Sequence, residues 1–204
     1  MKRRIITYGG YFEAFMASLS IKEQRKVDYV VSLLATQDRL PVKFIKYIAN
    51  GLFEVRIMWE SNIYRVFFIF DEDTVVVLFN GFQKKTQKTP RAEIEKALKI
   101  KEAIMQTNDH QIRDYSAELD RKYGAVGTKE REQFEEEAWS FYSSQILHDA
   151  RKEAKVTQAE LAKRINSTKS YISKVENGVI VPSVGAFYRI INALGLRIEL
   201  VKPA

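Results

Sequence analysis

The β-strand pattern of this sequence is confined to its first half, and this division constrains the fold more than any other feature. Residues 53–59 and 64–70 alternate between apolar positions and other side chains, and residues 75–79 form a continuous apolar run. Alternation is typical of a half-buried strand, and a continuous apolar run is typical of a strand buried on both faces. After residue 111 this pattern almost vanishes and helical spacing replaces it. The sequence therefore predicts two domains of different fold class.

The predicted first domain, residues 1–106, has the element order β-α-α-β-β-β-α. A short strand near residues 3–8 precedes two helices, which end near Gln37, and Pro41 then interrupts the pattern. Thr89 and Pro90 supply the cap and the first position of a final helix. We therefore expect an α+β domain whose helices accompany a four-stranded, mainly antiparallel sheet.

The predicted second domain, residues 112–204, is all-α and follows a polar linker at residues 107–111. Thr157 and Glu160 have capping-box spacing at the start of one short helix, and Asn166 stands in the tight turn before the next. Two short helices joined by a tight turn predict a helix-turn-helix motif within residues 143–195. Because the second helix of such a motif enters the major groove, we predict base-side contacts and backbone contacts from Thr168, Lys169, Ser170, Ser173 and Lys174, with Gln158 touching a phosphate.

Charge is distributed unevenly between the two halves. The chain has a net charge of +7, and residues 1–107 hold 18 Lys and Arg against 12 Asp and Glu. A basic domain favours polyanions such as nucleic acid, although a merely soluble surface has the same composition. The absence of cysteine fits a reducing cytoplasm, and Asp71-Glu72-Asp73 interrupts the longest apolar-rich run. We therefore expect a cytoplasmic protein without membrane contact.

Basic residues of the first domain follow or interrupt its strands. Lys84, Lys85 and Lys88 come directly after the last strand, while Arg56 and Arg65 lie within the two preceding ones. Alternation allows Arg56 to leave the core face and places Arg65 on a partly apolar face. The residues by themselves also fit a solvated lysine loop and arginines that bridge acidic partners.

Three segments of the first domain resemble one family. The segments are Gly51–Arg56, Tyr64-Arg65 and the string Lys84–Pro90, and together they resemble the phage-derived branch of the RelE/HigB-like toxins. The resemblance covers nearly all of residues 3–105. It implies an endoribonuclease that cleaves mRNA at the ribosome and needs no metal or other cofactor.

Metal-free RNA cleavage uses the 2′-hydroxyl to attack the adjacent phosphate, which requires charge stabilisation and proton transfer. Residues 1–106 contain no histidine, so a two-histidine mechanism is excluded within that domain. The predicted catalytic residues are Arg56 and Arg65 on the phosphate, Lys84, Lys85 and Lys88 for phosphate contact or proton transfer, and Tyr64, together with Tyr47, for base stacking.

The second domain resembles the HigA-like antitoxins that carry an XRE/Cro-type helix-turn-helix. Lys155 and Asn166 depart from this family, which often has glycine at both positions. The resemblance implies a toxin–antitoxin fusion in which the second half neutralises the toxin, binds operator DNA and represses its own operon. A transcriptional repressor with a catalytically inert toxin-like domain is the alternative.

The two halves have complementary charge where they adjoin. Residues 113–137 carry eight acidic and five basic side chains, and complementary charge steers association. We expect Tyr115, Leu119, Phe134, Trp139 and Phe141 to add apolar contacts. The toxin–antitoxin contact is then either intramolecular or reciprocal between two chains, and we expect a homodimer on palindromic DNA.

Overall fold

The computed structural model describes residues 3–37, 44–60, 62–71, 75–84, 89–106 and 111–199. The chain forms two compact units, residues 1–138 and residues 139–204. Most of the predicted linker, residues 107–110, lies outside the described residues. The boundary between toxin-like and antitoxin-like sequence at residues 107–111 stays a prediction, whereas the compact units divide further along the chain.

Within the described residues, one mixed sheet of six strands organises the first unit. The strands are β1 (Arg4–Tyr8), β2 (Ile45–Ala49), β3 (Leu52–Trp59), β4 (Asn62–Asp71), β5 (Val75–Gln83) and β6 (Ile112–Asp114). Their order is β2-β3-β4-β5-β1-β6. The β1–β5 pair is parallel and the other pairs are antiparallel.

The expectation of a four-stranded sheet is wrong, because two short edge strands were not recognised. β2 has five residues that are half-buried or exposed, and β6 has three exposed residues. Both strands lie at the edges of the sheet, where one neighbour suffices and no buried face imposes alternation on the sequence. These two strands are defined by backbone hydrogen bonding alone, so the order of apolar and polar side chains in the sequence does not predict them.

Different helices cover the two faces of this sheet. Helix α3 (Arg91–Gln106) buries Ala97 and Ile100 against one face, which includes Leu52 and Phe67. Helices α1 (Tyr11–Ala17) and α2 (Ile21–Thr36) lie on the other face, where Phe15 packs against Tyr64. Ser20 and Glu23 form a capping box at the start of α2. Side chains that alternate along β3 and β4 therefore face α3 and α2 in turn.

The first unit also contains α4 (Tyr115–Tyr123) and the beginning of α5 (Lys129–Glu153), which ends in the second unit. The second unit contains α6 (Gln158–Arg164), α7 (Lys169–Glu176) and α8 (Val184–Ala193) around a shared apolar core. The predicted helix-turn-helix is confirmed in this unit. The predicted all-α character of residues 112–204 is wrong at Ile112–Asp114, which form β6 because they pair with β1 at the sheet edge. In the part of the chain that the structure describes, no helix is both long and apolar enough to cross a membrane.

Candidate nucleic-acid interfaces

Two arginines meet on the α3 face of the sheet. Arg56 in β3 is the direct cross-strand partner of Arg65 in β4. Glu54, two residues before Arg56, shares this face and its side chain has no exposed surface. Its carboxylate accepts hydrogen bonds from the guanidinium of Arg65 and, at 2.8 Å, from the hydroxyl of Thr89. A buried carboxylate thus holds one of two like-charged neighbours in place.

Lys84 joins these arginines from the end of β5. Its backbone nitrogen donates a 2.7 Å hydrogen bond to the carbonyl of Ile63. Burial lowers the pKa of Lys84, and the positive charges of Arg65, Arg56 and Lys46 lower it further, while Glu54 opposes them. Lys46, Arg56 and Arg65 are therefore each close enough to influence Lys84, and we call these four residues the cationic cluster.

The cationic cluster has the chemistry to hold a phosphodiester. Its guanidinium and ammonium groups are strong donors to phosphoryl oxygens. Burial also lowers the pKa of Arg65, and Arg56 adds to this effect, whereas Glu54 counters it. A lowered lysine pKa makes proton transfer closer to neutral pH easier, and Lys84 is a lysine of this kind. Both carboxylate oxygens of Glu54 already accept hydrogen bonds, so this residue orients its neighbours.

The structure does not bring Tyr64 to the cationic cluster. Tyr64 lies on the opposite sheet face, is buried, and donates a hydrogen bond from its hydroxyl to Glu23. Burial and this contact raise the pKa of Tyr64 to about 12. Tyr47 is exposed and packs edge-on against Phe53. The predicted residues Lys85 and Lys88 lie outside the described residues. The catalytic roles of all these residues stay predictions.

Three residues of this site were missed in the sequence. Glu54 stands two positions before Arg56, and strand alternation by itself places the two on one face. Lys46 reaches the site because β2 pairs with β3, opposite Glu54. Thr89 was recognised only as a helix cap, although its hydroxyl donates to Glu54. Strand alternation in the sequence could have predicted that Glu54 shares the face of Arg56. The positions of Lys46 and Thr89 follow only from the tertiary structure.

Residues 111–138, from the antitoxin-like part of the sequence, pack closely within the first unit. β6 pairs with β1, and the backbone nitrogen of Ile5 donates a 2.9 Å hydrogen bond to the hydroxyl of Ser116. The fully buried carboxylate of Asp28 in α2 accepts hydrogen bonds from three side chains of α4. These are the hydroxyls of Tyr115 at 2.6 Å and Tyr123 at 2.8 Å and the ammonium of Lys122 at 3.3 Å.

A second set of contacts joins α2 to the first part of α5. The guanidinium of Arg25 donates a 2.8 Å hydrogen bond to Glu137, and the hydroxyl of Tyr29 donates to the same carboxylate. Phe134 stacks on Tyr123 with 3.9 Å between the ring centroids. The contacts of Arg25 and Tyr29 involve α2, which lies on the opposite side of the sheet from the cationic cluster. Of the aromatic and apolar residues expected at this contact, Tyr115, Leu119 and Phe134 are buried in the first unit, whereas Trp139 and Phe141 belong to the second unit.

The second unit presents the predicted DNA-reading helix. The hydroxyl of Thr168 caps α7 by accepting a 3.1 Å hydrogen bond from the nitrogen of Tyr171. Lys169, Ser170 and Lys174 are exposed, and Ser173 is half-buried. The first turn of α7 is thus capped and displays polar side chains, as a recognition helix requires.

A buried ion pair joins the helices of this motif. Arg151 at the end of α5 donates a 2.8 Å hydrogen bond to Glu176 at the end of α7, and both side chains are buried. The side-chain amide of Gln158 donates to the same carboxylate at 2.9 Å. Gln158 therefore supports the motif from within, and its contact with a phosphate stays a prediction.

Lys155 and Asn166 stand at the two positions where the family often has glycine. Both residues adopt the left-handed backbone conformation that favours glycine. Lys155 has φ of 56° after α5, and Asn166 has φ of 54° in the turn between α6 and α7. The motif therefore retains its geometry with residues other than glycine, at the cost of local backbone strain at Lys155.

Fold and sites together define a two-part protein: a mixed α+β sheet domain with a cationic cluster and a helix-turn-helix of the DNA-binding type. Residues 14–102 match the family described as "Phage derived protein Gp49-like", and residues 147–201 match the family described as "Helix-turn-helix". These matches confirm the resemblance to a RelE/HigB-like toxin domain joined to an XRE-type helix-turn-helix. The chain is thus a toxin-like domain combined with a DNA-binding motif.

One curated relative is similar to part of the chain. It is the "ImmF control region 10 kDa protein" of Bacillus phage phi105, which is 33% identical over 57 residues. The similar segment makes up 28% of this chain and 63% of the phage protein, so the chain spans less than two thirds of that relative.

Proposed function

We propose that this protein is a toxin–antitoxin fusion acting in the cytoplasm. Its first domain is a metal-independent endoribonuclease that cleaves mRNA on the ribosome, and its second half neutralises this activity, binds operator DNA and represses its own operon. In the cleavage step, a base takes the proton of the 2′-hydroxyl and the 2′-oxygen forms a bond to phosphorus. The bond between phosphorus and the 5′-oxygen breaks, and an acid gives the leaving 5′-oxygen a proton. The observation that carries the catalytic proposal is the convergence of Arg56, Arg65 and Lys84 on one sheet face.

The charge arrangement supports this chemistry. Arg56 and Arg65 supply the charge that stabilises the phosphoryl oxygens in the transition state, and Lys84, with its lowered pKa, serves the proton transfer. Lys46 adds a further positive charge. Lys85 and Lys88 are proposed to extend phosphate contact along the RNA.

The test is a growth assay with residues 1–106 expressed alone. We expect this fragment to arrest growth, and expression of residues 107–204 from a second promoter to restore it. The first matched control is the fragment carrying Arg56→Ala, which keeps the Arg65–Glu54 ion pair and should be folded and harmless. The second carries Arg56→Ala and Arg65→Ala and should also be harmless. A soluble, folded fragment 1–106 that leaves growth and mRNA intact would contradict the catalytic proposal, and a fully toxic double variant would contradict the site assignment.

The contacts of residues 111–138 support an association of the two parts within one chain. Because the contacts with α2 lie on the opposite sheet face from the cationic cluster, the proposed neutralisation acts other than by covering that cluster. The buried carboxylate of Asp28 receives its hydrogen bonds from α4, and Glu137 of α5 pairs with Arg25. A short connection raises the effective concentration of such a contact to roughly millimolar. A protease site inserted at residues 107–110 should give two fragments that stay together in gel filtration at low salt. Fragments that separate at once at low salt would contradict a neutralising contact between the two parts, whether within one chain or between two.

The second candidate function is transcriptional repression by a protein whose toxin-like domain is inert. The capped α7 with exposed Lys169, Ser170 and Lys174 supports DNA binding under either proposal. Proteins of this kind commonly dimerise so that two recognition helices lie about 34–36 Å apart on a palindrome. Footprinting on the promoter of the gene should show two protected half-sites at low salt. Protection without toxicity of residues 1–106 would favour the repressor.

A further inference from the structure

Glu54 is a buried acid in the middle of a basic site. Its side chain has no exposed surface, and it is the cross-strand neighbour of Lys46 on β2. One carboxylate oxygen accepts from Arg65 and the other accepts from Thr89, the residue that precedes Pro90 and helix α3. The carboxylate therefore ties β4 to the start of α3, on the sheet face that carries the cationic cluster.

A buried charge is retained only where its partners compensate for lost hydration. Arg65 compensates Glu54 directly, but Arg65 also faces the like charge of Arg56 on the neighbouring strand. Like charges directly opposite each other on neighbouring strands are destabilising. The ion pair with Glu54 holds the guanidinium of Arg65 in place despite this neighbour.

We propose that Glu54 is a positioning residue of the RNA-cleavage site, where it fixes the guanidinium of Arg65 and the start of α3 so that the cationic cluster converges on one phosphodiester. This inference rests on the proposed function for the identity of the ligand, RNA. The contacts of Glu54 that carry it come from the structure. It adds Lys46, Glu54 and Thr89 to the residues that shape the site. Glu54 acts through Arg65 and Lys84 and does not itself contact the phosphate.

The direction in which Glu54→Gln changes phosphate binding distinguishes a positioning residue from a bystander. If Glu54 were a bystander, neutralising it in Glu54→Gln would add net positive charge and strengthen phosphate binding. If Glu54 positions Arg65, the same substitution loosens the guanidinium and weakens binding. Glutamine keeps the shape of the side chain but removes the ionic attraction that holds the guanidinium of Arg65 beside the like charge of Arg56. A loss of RNA binding in this variant is therefore due to the lost ion pair and not to lost side-chain volume.

The experiment uses the full chain and follows Lys84 directly. An amine-reactive reagent is applied across a pH series, and the labelling of Lys84 is measured by peptide mass spectrometry. The series is repeated with a 2′-O-methyl RNA strand, which binds like RNA but has no free 2′-hydroxyl and is not cleaved. The variants are Glu54→Gln, Thr89→Val and the conservative Thr89→Ser. The matched control is Glu93→Gln, which removes a carboxylate of α3 that contacts Asn80 at 2.9 Å.

We expect the RNA strand to protect Lys84 in the native protein, with about tenfold more RNA needed for Glu54→Gln, because a mispositioned binding group loses affinity on this order. Thr89→Val should weaken protection without any change of charge, and Thr89→Ser should restore it. Because Glu54 raises the pKa of Lys84, Glu54→Gln should move the labelling midpoint to lower pH. Glu93→Gln should leave protection unchanged or strengthen it.

Unchanged or stronger protection in Glu54→Gln overturns the positioning role. Should Glu54→Gln fail to fold, Thr89→Val decides in the same way, and unchanged protection in that variant overturns the inference. If RNA does not protect Lys84 in the full chain, the series is repeated on residues 1–106, the fragment expected to be toxic, and missing protection in both contradicts the proposed function at this site. In that case the labelling midpoint decides about Glu54: a shift in Glu54→Gln supports its control of Lys84, and an unchanged midpoint overturns it.

Discussion

The hydroxyl of Tyr115 donates a 2.6 Å hydrogen bond to Asp28, a carboxylate whose side chain has no exposed surface. The bond joins α2, which lies in the segment that matches the Gp49-like family, to α4, which follows the predicted linker. Burial raises the pKa of Tyr115, and the charge of Asp28 raises it further, so the hydroxyl stays a donor at physiological pH. The first unit therefore depends on residues from both parts of the sequence.

Removing this hydroxyl should destabilise the first unit. Tyr115→Phe leaves a buried carboxylate with one donor fewer, and we expect the free energy of unfolding to fall by about 1.5–3 kcal/mol. Urea unfolding followed by tyrosine fluorescence measures the change. Tyr47→Phe is the matched control, because Tyr47 is exposed, and its effect should stay within about 0.5 kcal/mol. Equal losses in both variants would argue against the Asp28 contact.

The two arginines of the cationic cluster should respond differently to truncation. Arg65→Ala leaves the buried Glu54 without its cationic partner, so we expect the free energy of unfolding to fall by about 3–5 kcal/mol. Arg56→Ala keeps that ion pair and should cost less stability. Either change should lower cleavage by about 100- to 1000-fold, because each removes charge from the transition state.

Urea unfolding of the full chain and cleavage assays on residues 1–106 provide the two measurements for these arginine variants. If Arg65→Ala is as stable as Arg56→Ala, the Arg65–Glu54 pair does not support the fold.

Lys155 offers a stabilising substitution. Its positive φ of 56° costs a residue with a Cβ atom roughly 1–2 kcal/mol, which glycine avoids. After the entropy cost of glycine, we expect Lys155→Gly to stabilise the second unit by about 0.5–1 kcal/mol. Asn166→Gly should gain less, because asparagine tolerates this conformation. The control Lys152→Gly lies within α5 and should destabilise by about 1 kcal/mol. Calorimetry that shows the same sign for both lysine variants would contradict the strain at Lys155.

Glu137 should make the stability of the first unit pH-dependent. Burial opposes its charge, but hydrogen bonds from Tyr29 and Arg25 prevail and lower its pKa from 4.5. A lowered carboxylate pKa stabilises the fold above the unfolded-state value, and this contribution is lost as the pH falls through the folded-state pKa. Glu137→Gln should therefore cost at most about 1 kcal/mol at pH 7, after allowance for solvent screening of a partly exposed side chain.

The stability difference between Glu137→Gln and the native protein should shrink as the pH falls below 4.5. Urea unfolding at several pH values measures it, with exposed Glu136→Gln as the control. A difference that is independent of pH would exclude an ionic contribution from Glu137.

Lys169 should matter most for recognition of the promoter. It is exposed in the first turn of α7, where recognition helices approach the bases. We expect Lys169→Ala to weaken binding to the promoter of the gene by about tenfold or more, since a good base contact is worth about 1–3 kcal/mol. Lys129→Ala removes the same charge outside the motif and should have little effect in a gel-shift titration at fixed salt. Equal effects would indicate non-specific charge attraction only.

The sequence by itself determined the elements whose pattern is local. Ser20 and Glu23 form a capping box within a few residues of each other. Thr157 and Thr168 cap α6 and α7 by accepting a hydrogen bond from the backbone nitrogen three residues further on. The helix-turn-helix was predictable because its caps, turn and apolar spacing lie within one continuous stretch. Strands β3, β4 and β5 were recognised because their apolar patterns reflect burial in the centre of the sheet.

Tertiary structure alone decided which side chains meet. The register of β3 and β4 places Arg56 opposite Arg65 and Tyr64 on the other face of the sheet. A shift of one residue would move each side chain of a strand to the opposite face. Strands β2 and β6 exist through backbone pairing at sheet edges, and β2 brings Lys46 beside Glu54. Asp28 and Tyr115 are 87 residues apart in the chain, so no local pattern links them. The apolar periodicity of a helix or strand follows from the geometry of neighbouring residues, so the sequence predicts it. The partners that compensate a buried charge come from distant parts of the chain, so only the fold decides them.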